Sequence, residues 1–149
     1  MAFVGGVGMA KVNRRRIFLG AFAGFVVWAA WGFFVHYFLL REKYLEAQGT
    51  GALLSDVDYP KFLALWLLVL LGLSYVGARI YAGFRGTHGP GPHTALRAGI
   101  LLAFAAAIPV NIAASTWSPG HMIFGWGWIL DLAVGSILAT FIAAWLYKD

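Results

Sequence analysis

Four blocks of apolar residues, at about 17–40, 61–84, 94–117 and 122–147, dominate this 149-residue sequence and leave little room for choice of fold. Each block is long enough for a helix rising 1.5 Å per residue to cross roughly 30 Å of hydrocarbon, a span that takes about 20 residues. Only 11% of the residues are charged, against about 25% in an ordinary soluble domain, too few to coat a water-facing surface. In lipid every backbone N–H and C=O must find a partner within the protein, and a helix does this within one segment. The sequence therefore predicts an all-α, integral membrane four-helix transmembrane bundle, a single transmembrane domain over residues 1–149.

The first block is too long for a secretory signal, whose apolar region covers about 7 to 15 residues. It also carries Trp28, Trp31, Phe33 and Phe34 where a signal would have small residues, so an uncleaved span is expected. Residues 41–60 hold Glu42, Glu46, Asp56 and Asp58 and read as an extramembrane loop with an interfacial helical turn. Residues 85–93, rich in Gly and Pro, break the second span from the third, and Ser118-Pro-Gly-His121 reverses the chain into the fourth. Lys11, Arg14, Arg15, Arg16, Arg79, Arg85, Arg97 and Lys148 fall on one side, and Arg41, Lys43 and Lys61 on the other. That asymmetry predicts cytoplasmic termini, an outer loop at 41–60 and a cytoplasmic loop at 85–93, in a bacterial cytoplasmic (inner) membrane.

The net charge of +5 comes from basic residues flanking the spans. There they set topology and meet lipid headgroups; no basic groove with interleaved aromatics marks nucleic-acid binding. With no cysteine in the chain, disulfides, thiolate metal sites, iron–sulfur clusters and covalent haem attachment are excluded. The P-loop, GxGxxG and HExxH patterns do not occur, and no nucleophile has a base beside it in sequence, so an enzyme is not expected.

Small residues recur every four positions in three spans: Gly20, Gly24, Trp28, Gly32 and His36; Gly99, Ala103, Ala107, Asn111 and Ser115; Gly127, Asp131, Gly135, Ala139 and Ala143. Between membrane helices such rows let backbones approach closely, so Gly20, Gly24, Gly32, Gly99, Ala107, Gly127, Gly135 and Ala139 are predicted to pack helix on helix. Each row also carries a polar residue in the outer half of its span. Asp131 says most, because a carboxylate near a helix centre costs about 2.5 to 3.5 kcal/mol on insertion scales and must be protonated, paired or hydrated. Asp131, Asn111, His36 and Ser115 form the expected ligand or proton site; a register-fixing hydrogen bond is the structural alternative.

His36 and His121 are the only metal candidates worth naming. Neither has a second histidine three or four residues away to build a chelating face, so no metal and no cofactor is expected beyond bound lipid. His88 and His93 flank a Gly-Pro turn and read as solvated. The layout of a Trp-rich first span, an acidic outer loop, a short last reversal and a polar residue in the fourth span resembles small uncharacterised bacterial four-helix membrane proteins, a domain of unknown function. That resemblance implies no activity and carries over no site residue. Twelve Phe, seven Trp and six Tyr supply broad apolar sides for lipid and for other membrane-protein subunits or further copies of the chain. From these features the first expectation is a non-enzymatic accessory or assembly subunit packing against a larger membrane complex. The alternative is a small-molecule or proton-coupled carrier acting as an oligomer, with Asp131 as its titrating group.

Overall fold

A computed structural model of the protein describes residues 13–117 and 122–147. The elements are α1 (Arg14–Phe34), a π-helical turn (Val35–Leu39), α2 (Arg41–Gly49), α3 (Tyr59–His88), α4 (Pro92–Trp117) and α5 (Met122–Leu146). Four helices are long and apolar enough to cross a bilayer: Arg14–Leu39 including the π turn, Tyr59–His88, Pro92–Trp117 and Phe124–Leu146. The chain is an integral membrane protein with a helical-bundle fold. Lys11, Lys148 and the expected reversal at Ser118–His121, with the metal candidate His121, lie outside the described residues.

Local chemistry sets the helix ends. Asn13 Oδ1 accepts from the Arg16 amide at 3.2 Å, and Asp58 Oδ1 from that of Lys61 at 3.2 Å, so each side chain satisfies a donor left orphaned in a first turn. The expected break at Arg85 does not occur. Gly86 has room and normal helical geometry, so α3 runs on to His88 and stops at Gly89, whose φ of +75° glycine adopts without strain. Pro92 then opens α4 two residues earlier than expected, at a position where a missing N–H costs nothing. Residues 41–60 hold more than a turn: α2 leaves the first span at the π turn as a nine-residue helix.

Two diagonals of unequal length organise the bundle. α5 packs against α1, α3 and α4, and α3 against α1 and α4, while the backbones of α1 and α4 stay apart. The α1–α5 seam is an antiparallel zipper in which the two sequence rows interlock. A Cβ added at Gly20 would stand 2.9 Å from the Ala143 Cα, and one at Gly24 would stand 2.6 Å from the Ala139 carbonyl oxygen. One step on, the Trp28 indole fills the space over Gly135. Next, a Cβ added at Gly32 would stand 3.1 Å from the Asp131 carboxyl, and at the far end, beyond the π turn, Leu40 covers Gly127 so closely that an added Cβ would stand 2.6 Å from it. From Gly20 to Gly32 each four-residue step along α1 matches a four-residue step back along α5, and each bulky or polar side chain meets a glycine. On the α4 side, a Cβ added at Gly99 would stand 2.9 Å from the Ile137 Cα, and Ala103, Ala107 and Asn111 are buried.

The end of the bundle near the termini is filled mostly by small residues. Ala21, Ala78, Ala95, Ala98 and Ala143 close round Ile17, Tyr81 and Tyr147. At the α2 end packing is looser: residues 59–65 of α3 are all exposed, tied to α2 by the Gln48–Tyr59 hydrogen bond at 3.4 Å.

Candidate functional site

The zipper brings His36 and Asp131 together. Val35–Leu39 winds as a π turn, with the Leu40 amide bonded to the Val35 carbonyl at 3.1 Å, and such turns recur at functional positions. From it His36 presents Nε2 to Asp131 Oδ2 at 3.1 Å and Nδ1 to the Tyr44 hydroxyl at 2.8 Å. The Tyr44 oxygen also accepts from Trp128 Nε1 at 2.7 Å. Four side chains from the π turn, α2 and α5 thus form one hydrogen-bonded line ending in a fully buried carboxyl.

Ring packing holds the line in place. Tyr44 is sandwiched between His36, at 5.9 Å and 11° between planes, and Phe124, at 5.2 Å and 12°, and Phe124 leans on Trp128 at 6.0 Å. Burial pushes the Tyr44 hydroxyl up to about 12; the Trp128 hydrogen bond acts in the opposite sense, and the nearby Asp131 charge adds to the rise. Tyr44 is therefore a neutral hydroxyl at physiological pH.

Proton placement follows from what each group is able to do. An indole N–H only donates, so the Tyr44 oxygen is its acceptor and the Tyr44 proton is free to point at His36 Nδ1. His36 then carries its own proton on Nε2 and donates it to the Asp131 carboxylate. A second arrangement uses the same contacts: a proton arriving at Tyr44 displaces the hydroxyl proton onto Nδ1, Nε2 releases its proton to Oδ2, and Asp131 ends neutral. One proton enters and one carboxylate is protonated, with no heavy atom moving far.

The remaining predicted site residues lie elsewhere. Asn111 is buried, but its Nδ2 donates to the Ala107 carbonyl at 2.7 Å on its own helix, and Ser115 Oγ donates to the Asn111 carbonyl at 2.6 Å beside Gly125. Both spend their donors satisfying α4, so His36 alone of the three expected partners bonds Asp131 among the described residues. Both ring nitrogens of His36 are engaged by protein groups, and among the described residues no group of three or more His, Asp or Glu is placed to hold a metal.

Sequence reasoning missed Tyr44, Trp128, Ser136 and Thr140. Ser136 and Thr140 are wholly buried and donate to the Leu132 and Ser136 carbonyls at 2.5 and 2.7 Å. They sit four residues apart in the row next to that of Asp131, a signal present in the sequence. Nothing local marks Tyr44, whose side chain reaches Trp128 and Phe124 of α5 from the helix that follows the π turn. No protein-family model, curated protein or solved structure matches this chain.

Proposed function

We propose that the chain is a small proton-coupled carrier that acts as an oligomer, with Asp131 as its titrating group and Tyr44 and His36 as the route by which protons reach it. The observation that carries this reading is the continuous line from Tyr44 through both nitrogens of His36 to Asp131. A neutral amide or hydroxyl would fix helix register as well; an ionisable group at this depth, wired to an imidazole, favours a proton-handling role. In this reading the α2 end faces outward from a bacterial cytoplasmic membrane and the termini inward, the orientation that the distribution of Lys and Arg favours. Access to Asp131 is then from outside, since Gly20, Gly24, Ala139 and Ala143 close the seam on the other side. A four-helix chain has little interior for a solute path, which is why the reading includes further copies.

A second reading, an accessory subunit of a larger membrane complex, is favoured by α3. Its residues 59–65 are exposed on every side, a length of helix that lipid or another subunit must cover.

Charge displacement after an external pH jump, recorded from protein reconstituted in vesicles, tests the first reading. A transient that disappears in Asp131→Asn and is slowed in His36→Gln supports it; identical transients in all three proteins would leave the subunit reading standing.

A further inference from the structure

Three interior polar side chains are almost completely enclosed yet have an atom without a hydrogen-bond partner among the described residues: Asp131 at Oδ1, Trp28 at Nε1 and Ser74 at Oγ, with exposures of 0%, 0% and 1%. They occupy neighbouring levels of one interior. Asp131 Oδ1 faces Gly32, and Trp28 Nε1 lies over Gly135, one zipper step further in. Such a step is about 6 Å along the axis, the span that one water bridges between two atoms roughly 2.9 Å away on either side. On α3, Gly77 faces Thr140, whose Oγ1 would stand 2.7 Å from a Cβ added there. Ser74 is three residues back toward the α2 end from Gly77, and Thr140 five residues beyond Gly135, so Ser74 falls within about 3 Å of the Trp28 level along the bundle axis.

The geometry points to a buried-water site between α1, α3 and α5, in which one or two waters link Asp131 Oδ1, Trp28 Nε1 and Ser74 Oγ. The lining chooses the occupant. An indole N–H aimed inward repels a bare cation, a carboxylate repels an anion, and the enclosure of all three side chains closes the site to solutes at the surface. Water donates to the carboxyl and accepts from the indole, while the Ser74 hydroxyl does either. Folded proteins hold about one buried water per 27 residues, at polar atoms that would otherwise lack partners, so a site of this kind is ordinary for a chain of this size. Its role rests on the reading of Asp131 as a proton acceptor: the water continues the line inward, past the carboxyl, toward Ser74.

The test is water-to-indole cross-relaxation by NMR on the full chain, ¹⁵N-labelled at its tryptophans, in lipid nanodiscs. The Trp28 resonance is assigned by its loss in Trp28→Phe or, if that variant does not fold, by elimination through Phe variants of the other six tryptophans. A direct cross-peak between water and the Trp28 indole proton is expected, retained in Asp131→Asn, which keeps an acceptor in place. A Trp28 indole with no water cross-peak, in a sample where the exposed Trp117 shows one, overturns the site. The outcome is independent of charge movement: failure of the proton reading leaves the Trp28 cross-peak intact, and a dry Trp28 leaves the Tyr44–His36–Asp131 line in place.

Discussion

His36 Nε2 and Asp131 Oδ2 meet at 3.1 Å across the α1–α5 seam, although 95 positions separate them in sequence. The carboxyl is fully buried and the imidazole 28% exposed, so His36 is both the partner of Asp131 and its link toward the membrane surface. Most consequences of the fold for function pass through this contact.

Removing the imidazole should be costly because it strands a buried acid. His36→Phe is expected to destabilise the protein by about 3 to 5 kcal/mol, the range for breaking one side of a buried pair. His36→Phe with Asp131→Leu should recover most of that loss, since an apolar pair has no desolvation cost to offset. Denaturant unfolding in detergent measures the cycle; strictly additive losses would show that the two residues are not coupled.

The zipper makes glycine substitutions strongly position-dependent. Gly135→Ala drives a methyl into the Trp28 indole, and Gly24→Ala places one 2.6 Å from the Ala139 carbonyl oxygen. Each should cost about 1 to 3 kcal/mol or more through overpacking. Gly72→Ala, with nothing within 4 Å, should leave thermal stability unchanged or slightly raised. Equal melting temperatures for all three variants would dissolve the seam.

These two outcomes bear on how much the sequence disclosed. Block length and charge depletion fix the four spans, because lipid permits almost nothing but helices there. The rows through Gly24 and Gly135 were legible for the same reason, since close approach needs small residues at helical spacing. Which row meets which was not legible, because several antiparallel registers satisfy the same spacing. Asp131 and His36 stood out as polar residues in apolar segments. Asn111 and Ser115 stood out equally, but each bonds the carbonyl one turn back on its own helix, as short polar side chains within helices do. Tyr44 was invisible, because its place depends on a π turn between α1 and α2 that the sequence does not mark.

Tyr44 gives the site an alkaline limit. Its hydroxyl is raised from 10.0 to about 12 in the folded protein, so the folded state holds this proton more tightly than the unfolded chain does. The stability it contributes is fully present below pH 10 and is lost as pH rises toward 12. Tyr44→Phe, which has no such proton, should show a shallower loss of stability across that window. Ultraviolet titration of tyrosinate and unfolding at stepped pH check both points; a Tyr44 that ionises at the ordinary value would contradict the buried, hydrogen-bonded position.

The most direct measurement is infrared difference spectroscopy of the protein in lipid as external pH is stepped through the histidine and carboxylate ranges. Protonation of Asp131 through His36 predicts a carboxylic acid C=O band that grows as pH falls, disappears in Asp131→Asn and shifts its midpoint in His36→Gln and Tyr44→Phe. A spectrum with no carbonyl band that depends on Asp131 at any pH, in protein shown to be folded, would contradict the account.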